Sequence, residues 1–285
     1  MNIKELLIYA TSKLQTVGIK SANLESRILM QHITGKSIEY LLARSEERLT
    51  EAKQIIFKNL VNRRILLEPI AYIIGYKEFY GYQFIIDNTV LIPRQDTEVL
   101  VDAILSDIKT NAELAILELG TGSGCIALSL LLEMPNSNVI ATDISNEAIA
   151  IARQNAIKHK VSDRFKIINS NWFENLEKQK FDIIVSNPPY ISFDDTIYMS
   201  PETLQYEPHL ALFAEDNGLA SYYIIAKEAK RFLKQNGKLF VEIGFNQLAA
   251  VTEIFVSYGY TVKQVYKDLE GRDRGLLILD NQVFF

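Results

Sequence analysis

An Asn-Pro-Pro-Tyr run, Asn187–Tyr190, directly follows the apolar stretch Phe181–Val185. Two consecutive prolines stop a sheet ladder, remove two backbone donors and stiffen the turn. Asn187 then supplies a side-chain carbonyl oxygen and Pro188 a backbone one, enough to accept both hydrogens of one planar NH2 group. Pro189 extends the stiff turn, and Tyr190 adds a flat face for a planar group. A turn alone needs only the punctuation and does not call for the flanking Asn and Tyr. Amide nitrogens and exocyclic adenine amines are poor nucleophiles because their lone pairs are delocalised. Accepting both N–H bonds pushes electron density toward nitrogen and aims it. Toward a sulfonium methyl donor, positioning and desolvation dominate and no strong base is needed.

A second cluster stands earlier, at Glu118-Leu119-Gly120-Thr121-Gly122-Ser123-Gly124-Cys125. Glycine on alternate positions permits a tight turn and close approach of a ligand to the backbone. The loop lacks the spacing of the dinucleotide fingerprint and the Lys-Ser/Thr of a phosphate-binding P-loop, which points away from NAD and ATP. Asp143 follows about 20 residues on, at a strand tip, where a carboxylate suits the two hydroxyls of a ribose. Ser145 and Asn146 are the nearer candidates for capping the next helix. Trp172, the one Trp, offers either a plane for an adenine ring or a core aromatic.

These residues need a scaffold that brings strand ends together. From Ala115 the chain alternates apolar strands and amphipathic helices. Strands are expected at Ala115–Leu119, Val139–Asp143, Phe165–Asn169, Phe181–Ser186, Lys238–Ile243, Thr261–Tyr266 and Leu276–Leu279. Helices are expected near Thr97–Ile108, Ile126–Glu133, Ala148–His159, Ala220–Leu233 and Gln247–Tyr258. The pattern predicts an α/β fold with a mainly parallel sheet and a ligand crevice beyond the strand carboxyl ends. Residues 1–70 read as helices, with Leu6, Leu7, Ala10 and Leu14 at helical spacing. Asn23 is expected to cap a second helix that Gly35 closes, and Thr50 a later one. Residues 71–93, rich in Tyr, Phe and Ile between glycines, read as a hairpin connector. Three regions follow: a helical domain at 1–70, the connector at 71–93 and the α/β domain at 94–285.

Composition narrows the classes. Hydrophobic residues make up 48% and charged residues 23%, ordinary for a globular protein. No apolar run approaches a membrane span, and the first residues lack signal or transit character, so a cytoplasmic protein is expected. One cysteine, Cys125, excludes an intramolecular disulfide and reads as a small core residue. His32, His159 and His209 are scattered without metal-ligand spacing, so no metal site is expected. Residues 1–75 hold 11 Lys/Arg against 7 Asp/Glu, and the remainder 19 against 28. That opposition of charge speaks to partners.

The chain resembles the release factor glutamine methyltransferases. The resemblance rests on Glu78-Phe79-Tyr80-Gly81, Leu91-Ile92-Pro93-Arg94 with Thr97-Glu98, Glu118 to Gly124, and Phe181 to Tyr190. It continues at Glu207-Pro208 with Ala211-Leu212, Glu242-Ile243-Gly244 and Gly271-Arg272-Asp273-Arg274. It implies a Rossmann-like S-adenosylmethionine-dependent methyltransferase sheet, a small helical N-terminal domain that docks a release factor, and transfer to the Gly-Gly-Gln glutamine N5. Gly120, Thr121, Gly122, Ser123, Gly124, Asp143, Trp172 and Asn187 would then bind S-adenosylmethionine. Asn187, Pro188, Pro189 and Tyr190 would hold the glutamine amide, with Asn187, Pro188 and Tyr190 catalytic. A monomer acting on protein, without DNA or membrane partners, is expected. The sequence departs from the family where Gln95 replaces a usual Pro and Asn171 a usual Asp.

The alternative is a DNA adenine-N6 methyltransferase, which shares Asn-Pro-Pro-Tyr but needs a basic footprint. From Tyr190 to Gly218 there is no Lys or Arg, while Asp194, Asp195, Glu202, Glu207, Glu215 and Asp216 are present. If this segment lines the cleft mouth, it repels phosphates and suits a basic protein loop. A non-catalytic scaffold has no need of the amide cradle.

Overall fold

The computed structural model describes residues 1–108 and 112–281. The chain divides into two compact units. One takes Met1–Gly75 with Ser200–Tyr206, and the other takes Tyr76–Met199 with the chain from Glu207 onward.

The first unit is helical, with helices at Ile3–Thr16, Ala22–Thr34, Ile38–Ala43, Glu51–Ile65 and Ile70–Ile74. Ile3, Leu6, Ala10 and Leu14 form the buried stripe of the first, at the three- and four-residue spacing that puts side chains on one helix face. They pack with Leu29, Met30, Phe57 and Val61 in one core cluster. Asn2 caps the first helix in a capping box with Glu5, and Thr50 caps the fourth by accepting from Lys53 N. The second helix begins two residues earlier than its sequence signals: Ser21 is its N-cap, so Asn23 lies inside the first turn and Leu24 is exposed. Gly35 ends it in the left-handed conformation, φ 67°. Arg64 is buried and makes ion pairs with Glu25 and with Glu202 of the Ser200–Tyr206 segment.

The start of the expected connector is helical. Pro69 at the N-cap and Gly75 in the left-handed region bound Ile70–Ile74, and these terminal signals override the β preference of its isoleucines. The hairpin is therefore shorter: β1 (Tyr76–Phe79) and β2 (Tyr82–Ile85), antiparallel, with Phe79 opposite Tyr82. Tyr80 and Gly81 both have positive φ, 52° and 75°, as a two-residue hairpin turn matching strand twist requires.

The remaining strands are β3 (Ala115–Leu119), β4 (Asn138–Asp143), β5 (Phe165–Asn169), β6 (Phe181–Ser186), β7 (Leu233–Glu242), β8 (Tyr260–Lys267) and β9 (Asp273–Asp280). Among the described residues they form one seven-stranded sheet in the order β5-β4-β3-β6-β7-β9-β8. Pairings from β5 through β7 are parallel, and β9 runs antiparallel to both its neighbours. The alternation of the strands sorts side chains to two faces. Ile116, Ile183, Val185 and Phe240 bury one face against helices Glu98–Asp107, Cys125–Glu133 and Asn146–Lys158. Leu117, Ile184, Leu239 and Val241 bury the other against Ala220–Glu228 and Leu248–Ser257. Chain order reverses between β3 and β6, and a crevice opens at their carboxyl ends.

Candidate active site

A cavity of about 230 Å³ opens at those strand ends. Gly120, Thr121, Gly122 and Ser123 line it from the loop after β3, Asp143 from the end of β4, and Trp172 from beyond β5. Asn187 and Pro189 line it from the end of β6. Pro93, Arg94 and Thr97 enclose it from the segment after the hairpin, and Pro208, Leu210 and Ala211 from the long loop after β6.

The glycine loop owes its shape to backbone geometry. Gly120 and Gly122 hold positive φ, 70° and 55°, and a Cβ on either would meet nothing within 4 Å. Both therefore present open backbone beside the cavity. Gly124 is different. It caps the helix Cys125–Glu133 outside the lining, and a Cβ there would lie 3.1 Å from Leu128 Cδ1. It is not among the residues lining the cavity, and its positive φ of 81° shapes the junction of loop and helix. Cys125, expected in the core, lines the cavity half-buried, with its thiol pushed up to about 12 by burial.

Asp143 ties the loop to its neighbour strand. Its oxygens accept from Gly122 N at 2.8 Å and Ser145 N at 3.0 Å. Ser145, not Asp143, caps the helix Asn146–Lys158, accepting from Ala148 N. Burial holds the Asp143 carboxyl above its ordinary range, opposed by these backbone donors. Glu118 is buried beside the cavity and accepts from the Thr121 hydroxyl; burial raises its pKa to about 8, opposed by that hydrogen bond. Trp172 adopts a left-handed backbone, φ 52°, and its ring both lines the cavity and packs on the sheet core. Asn171 also lines the cavity and donates its Nδ2 to Glu174 at 2.9 Å.

The Asn-Pro-Pro-Tyr turn is anchored on both sides. Asn187 Nδ2 donates to Thr97 Oγ at 3.1 Å, which leaves Oδ1 to accept from a ligand. The Pro189 carbonyl accepts from Ser221 Oγ at 3.1 Å, and the Tyr190 carbonyl from Gln247 Nε2 at 2.9 Å. Pro188 is buried, and neither it nor Tyr190 is among the residues lining the cavity. The Tyr190 hydroxyl instead donates to Glu242 Oε1 at 3.3 Å, and burial raises its pKa above the ordinary phenol range. The structure thus brings Asn187 and Pro189 to the cavity and turns Tyr190 toward the end of β7.

The loop after β6 forms less of the mouth than its sequence position implies. Ser200–Tyr206 belongs to the helical unit, with Glu202 paired to Arg64. Glu207 is buried, paired with Arg94, and accepts from Ile92 N at 3.2 Å, so it pins the Ile92–Arg94 wall. Two of the six acidic residues expected to repel phosphates are therefore neutralised by ion pairs. Asp194, Asp195, Glu215 and Asp216 are exposed. His159 lies against Tyr82 and Phe84, and His209 against Phe213.

Four participants had no assigned task in the sequence: Glu118, Thr97, Arg94 and Glu242. Each sits inside a motif of the family resemblance, and an acid in an otherwise apolar strand end was the available signal for Glu118 and Glu242.

Residues 95–205 match a family model for the methyltransferase small domain, and residues 5–75 match the PrmC N-terminal domain. The chain is 53% identical over 291 residues to a bifunctional methyltransferase of Rickettsia prowazekii, covering 96% of this chain and 56% of that protein. It thus spans about half the length of such relatives. It is 39% identical to the release factor glutamine methyltransferase of Agrobacterium fabrum, covering 95% of this chain and 94% of the other. The fold is similar to the hMettl16 catalytic domain in complex with the MAT2A 3′UTR hairpin 1, with a TM-score of 0.57 at 15% identity over 90% of this chain and 91% of the other. It is also similar to a methyltransferase from Pyrococcus furiosus, with a TM-score of 0.53 at 20% identity over 72% and 91%.

Proposed function

Since the chain belongs to the release factor glutamine methyltransferase family, we propose that it transfers a methyl group from S-adenosylmethionine to the side-chain N5 of the Gly-Gly-Gln glutamine in peptide chain release factors. The observation that carries this reading is Asn187. Its Nδ2 is committed to Thr97 while its side chain lines the cavity, so its oxygen is the atom offered to an incoming NH2 group.

S-adenosylmethionine, when bound, supplies a methyl group on a positively charged sulfur. The residues around the cavity fit such a ligand: Gly120 and Gly122 present open backbone, and Asp143 offers a buried carboxylate for a vicinal diol. Thr121, Ser123 and Trp172 complete that side, Trp172 against the adenine. Gly124 contributes by shaping the junction of loop and helix. Asn187 accepts from the glutamine NH2 and aims its lone pair, and the stiff Pro188-Pro189 turn holds that geometry. In this reading the Pro188 carbonyl is the second acceptor, and Tyr190, hydrogen-bonded to Glu242, braces the turn. The side chains of this cradle need not act as strong bases, because the acceptor nitrogen loses its proton readily once methylated. The helical unit, of opposite net charge sign, docks the protein substrate. The enzyme acts as a monomer in the cytoplasm. No helix among the described residues is long and apolar enough to cross a membrane.

The test offers tritiated S-adenosylmethionine with a release factor or with duplex DNA of mixed sequence. Label is expected in the release factor and is abolished when the Gly-Gly-Gln glutamine is replaced. Label in DNA but not in the release factor overturns the assignment and favours adenine. A second expectation concerns the donor. Calorimetry on Asp143→Ala should show S-adenosylmethionine binding weakened by about 1.5–3 kcal/mol, the scale of hydrogen bonds to a charged group. Unchanged affinity removes Asp143 from the site.

A further inference from the structure

Side chains from outside the Asn-Pro-Pro-Tyr turn take its last two carbonyls. Ser221 Oγ donates to the Pro189 carbonyl at 3.1 Å, and Gln247 Nε2 to the Tyr190 carbonyl at 2.9 Å. The Pro188 carbonyl has no hydrogen-bond partner among the described residues. Ser221 lies in the first turn of helix Ala220–Glu228, and Gln247 is the N-cap of helix Leu248–Ser257. Both helices pack on the same face of the sheet, and both hold the turn.

Gln247 is fixed at both ends of its amide. Its Oε1 accepts from Gly244 N at 2.9 Å, and the Tyr222 hydroxyl lies 3.3 Å from the same oxygen. A backbone N–H can only donate and a carbonyl can only accept. Gly244 N therefore decides which end of the amide is oxygen, and the NH2 must face the Tyr190 carbonyl. Two glycines make room for this. A Cβ on Gly244 would lie 2.8 Å from Gln247 Oε1, so a side chain there would displace the amide. Gly218, which ends the short segment Glu215–Gly218, has φ 84°, and a Cβ on it would lie 2.2 Å from the Tyr190 oxygen and 3.0 Å from Gln247 Nε2. The hydrogen bond is thus packed against backbone that only glycine allows.

We infer that Gln247 is a positioning residue that mounts the Asn-Pro-Pro-Tyr turn so that the Asn187 side-chain oxygen and the Pro188 carbonyl stay aimed at the acceptor NH2. The inference rests on the proposed amide-methylating function of the same site. The relay from Gln247 to Asn187 is covalent. Each proline fixes its own φ and confines the residue before it, so Asn187 through Pro189 move as one stiff piece. The first unrestricted rotations, ψ of Pro189 and φ and ψ of Tyr190, are those that the bonds from Ser221 and Gln247 set. Gln247 is not among the residues lining the cavity and touches neither donor nor acceptor. Without its NH2 the Tyr190 carbonyl is free to turn, and the stiff piece turns with it and carries Asn187 off its aim.

The experiment measures kcat, KM and S-adenosylmethionine affinity of the full chain on a release factor for Gln247→Glu, Gln247→Met and Asn246→Ala. Gln247→Glu keeps the shape and the acceptor for Gly244 N, but once ionised it has no hydrogen for the Tyr190 carbonyl. It is expected to lower kcat on the order of 100-fold, the scale of a reacting group displaced by a mutation away from the chemistry, with KM and donor affinity little changed. Gln247→Met, which brings no charge, should move kcat in the same direction. Asn246→Ala, at the exposed neighbouring position, should leave all three at wild type. Side-chain amide spectra give a readout independent of turnover. The Gln247 NH2 should exchange slowly with solvent in the wild type, and the Asn187 NH2 resonance should shift in both Gln247 variants and not in Asn246→Ala. A folded Gln247→Glu enzyme with wild-type kcat, a loss confined to KM, or an unmoved Asn187 resonance overturns the inference. If Gln247→Glu does not fold, Gln247→Met decides by the same measurements, and a fast-exchanging Gln247 NH2 in the wild type overturns the inference without any variant. A wild-type enzyme that fails to label the release factor sinks the functional reading instead, and the Asn187 resonance still decides whether Gln247 sets the turn.

Discussion

Replacing Asn187 by alanine is expected to lower kcat for release-factor methylation by about 10²–10³-fold, as when one preorganised hydrogen-bonding group is removed from a reacting centre. The side chain is placed for this. Its nitrogen is held by Thr97, its oxygen remains to accept, and the prolines that follow restrict the backbone on which it rides. A glutamine NH2 that loses this acceptor keeps its lone pair delocalised and is no longer aimed. Affinity for S-adenosylmethionine should shift much less, within the roughly 1–3 kcal/mol reach of one lost hydrogen bond, because the glycine loop and Asp143 lie on the other side of the cavity. Single-turnover kinetics with saturating donor separates the two effects. A variant that binds donor ten times worse yet turns over normally once saturated would place Asn187 in the donor site alone.

Arg64→Ala should destabilise the helical unit by about 3–5 kcal/mol, the cost of breaking a buried ion pair by removing one partner. The Arg64 side chain is 3% exposed and its principal partner Glu25 11%. Arg64 also reaches Glu202 and the Glu68 carbonyl, at 2.6 Å and 3.2 Å, so its loss orphans acceptors on three segments. Hydrogen exchange across Ile3–Thr16, Ala22–Thr34 and Glu51–Ile65 measures the effect. Protection in β3, β4 and β6 should stay near wild type. Replacing Arg64 and Glu25 together by apolar residues of similar volume should cost far less, since no charge is then left buried alone. Equal losses in the single and double variants would mean that packing of the long side chains, and not the uncompensated charge, sets the stability.

The chemistry of the site was legible where it is local. Prolines after an apolar run stop a strand wherever the strand lies, and alternating glycines make a tight turn without help from distant residues. So the Asn187–Tyr190 turn and the Gly120–Gly124 loop stand at strand ends as their spacing predicts. The helical unit was legible for the same reason at Ile3–Thr16, whose stripe repeats at helical spacing. At Ile70–Ile74 the β preference of the isoleucines misled, because Pro69 and Gly75 decided the local backbone.

The sequence by itself determined the order of strands and helices, the two turns that border the cavity and the presence of an amide-accepting side chain at one of them, because apolar period, proline and glycine act over a few residues. Only the tertiary structure decided which side chains of those turns face the cavity. Gly124 fell outside the lining, Tyr190 turned to Glu242, and Cys125 joined the wall. Only it brought Thr97 to Asn187, 90 residues away, and Glu242 to Tyr190, 52 residues away. Those neighbours are set by strand order and register, β6 lying between β3 and β7. A buried polar side chain takes whichever partner that register delivers, since leaving it unpaired costs more than any local preference can return.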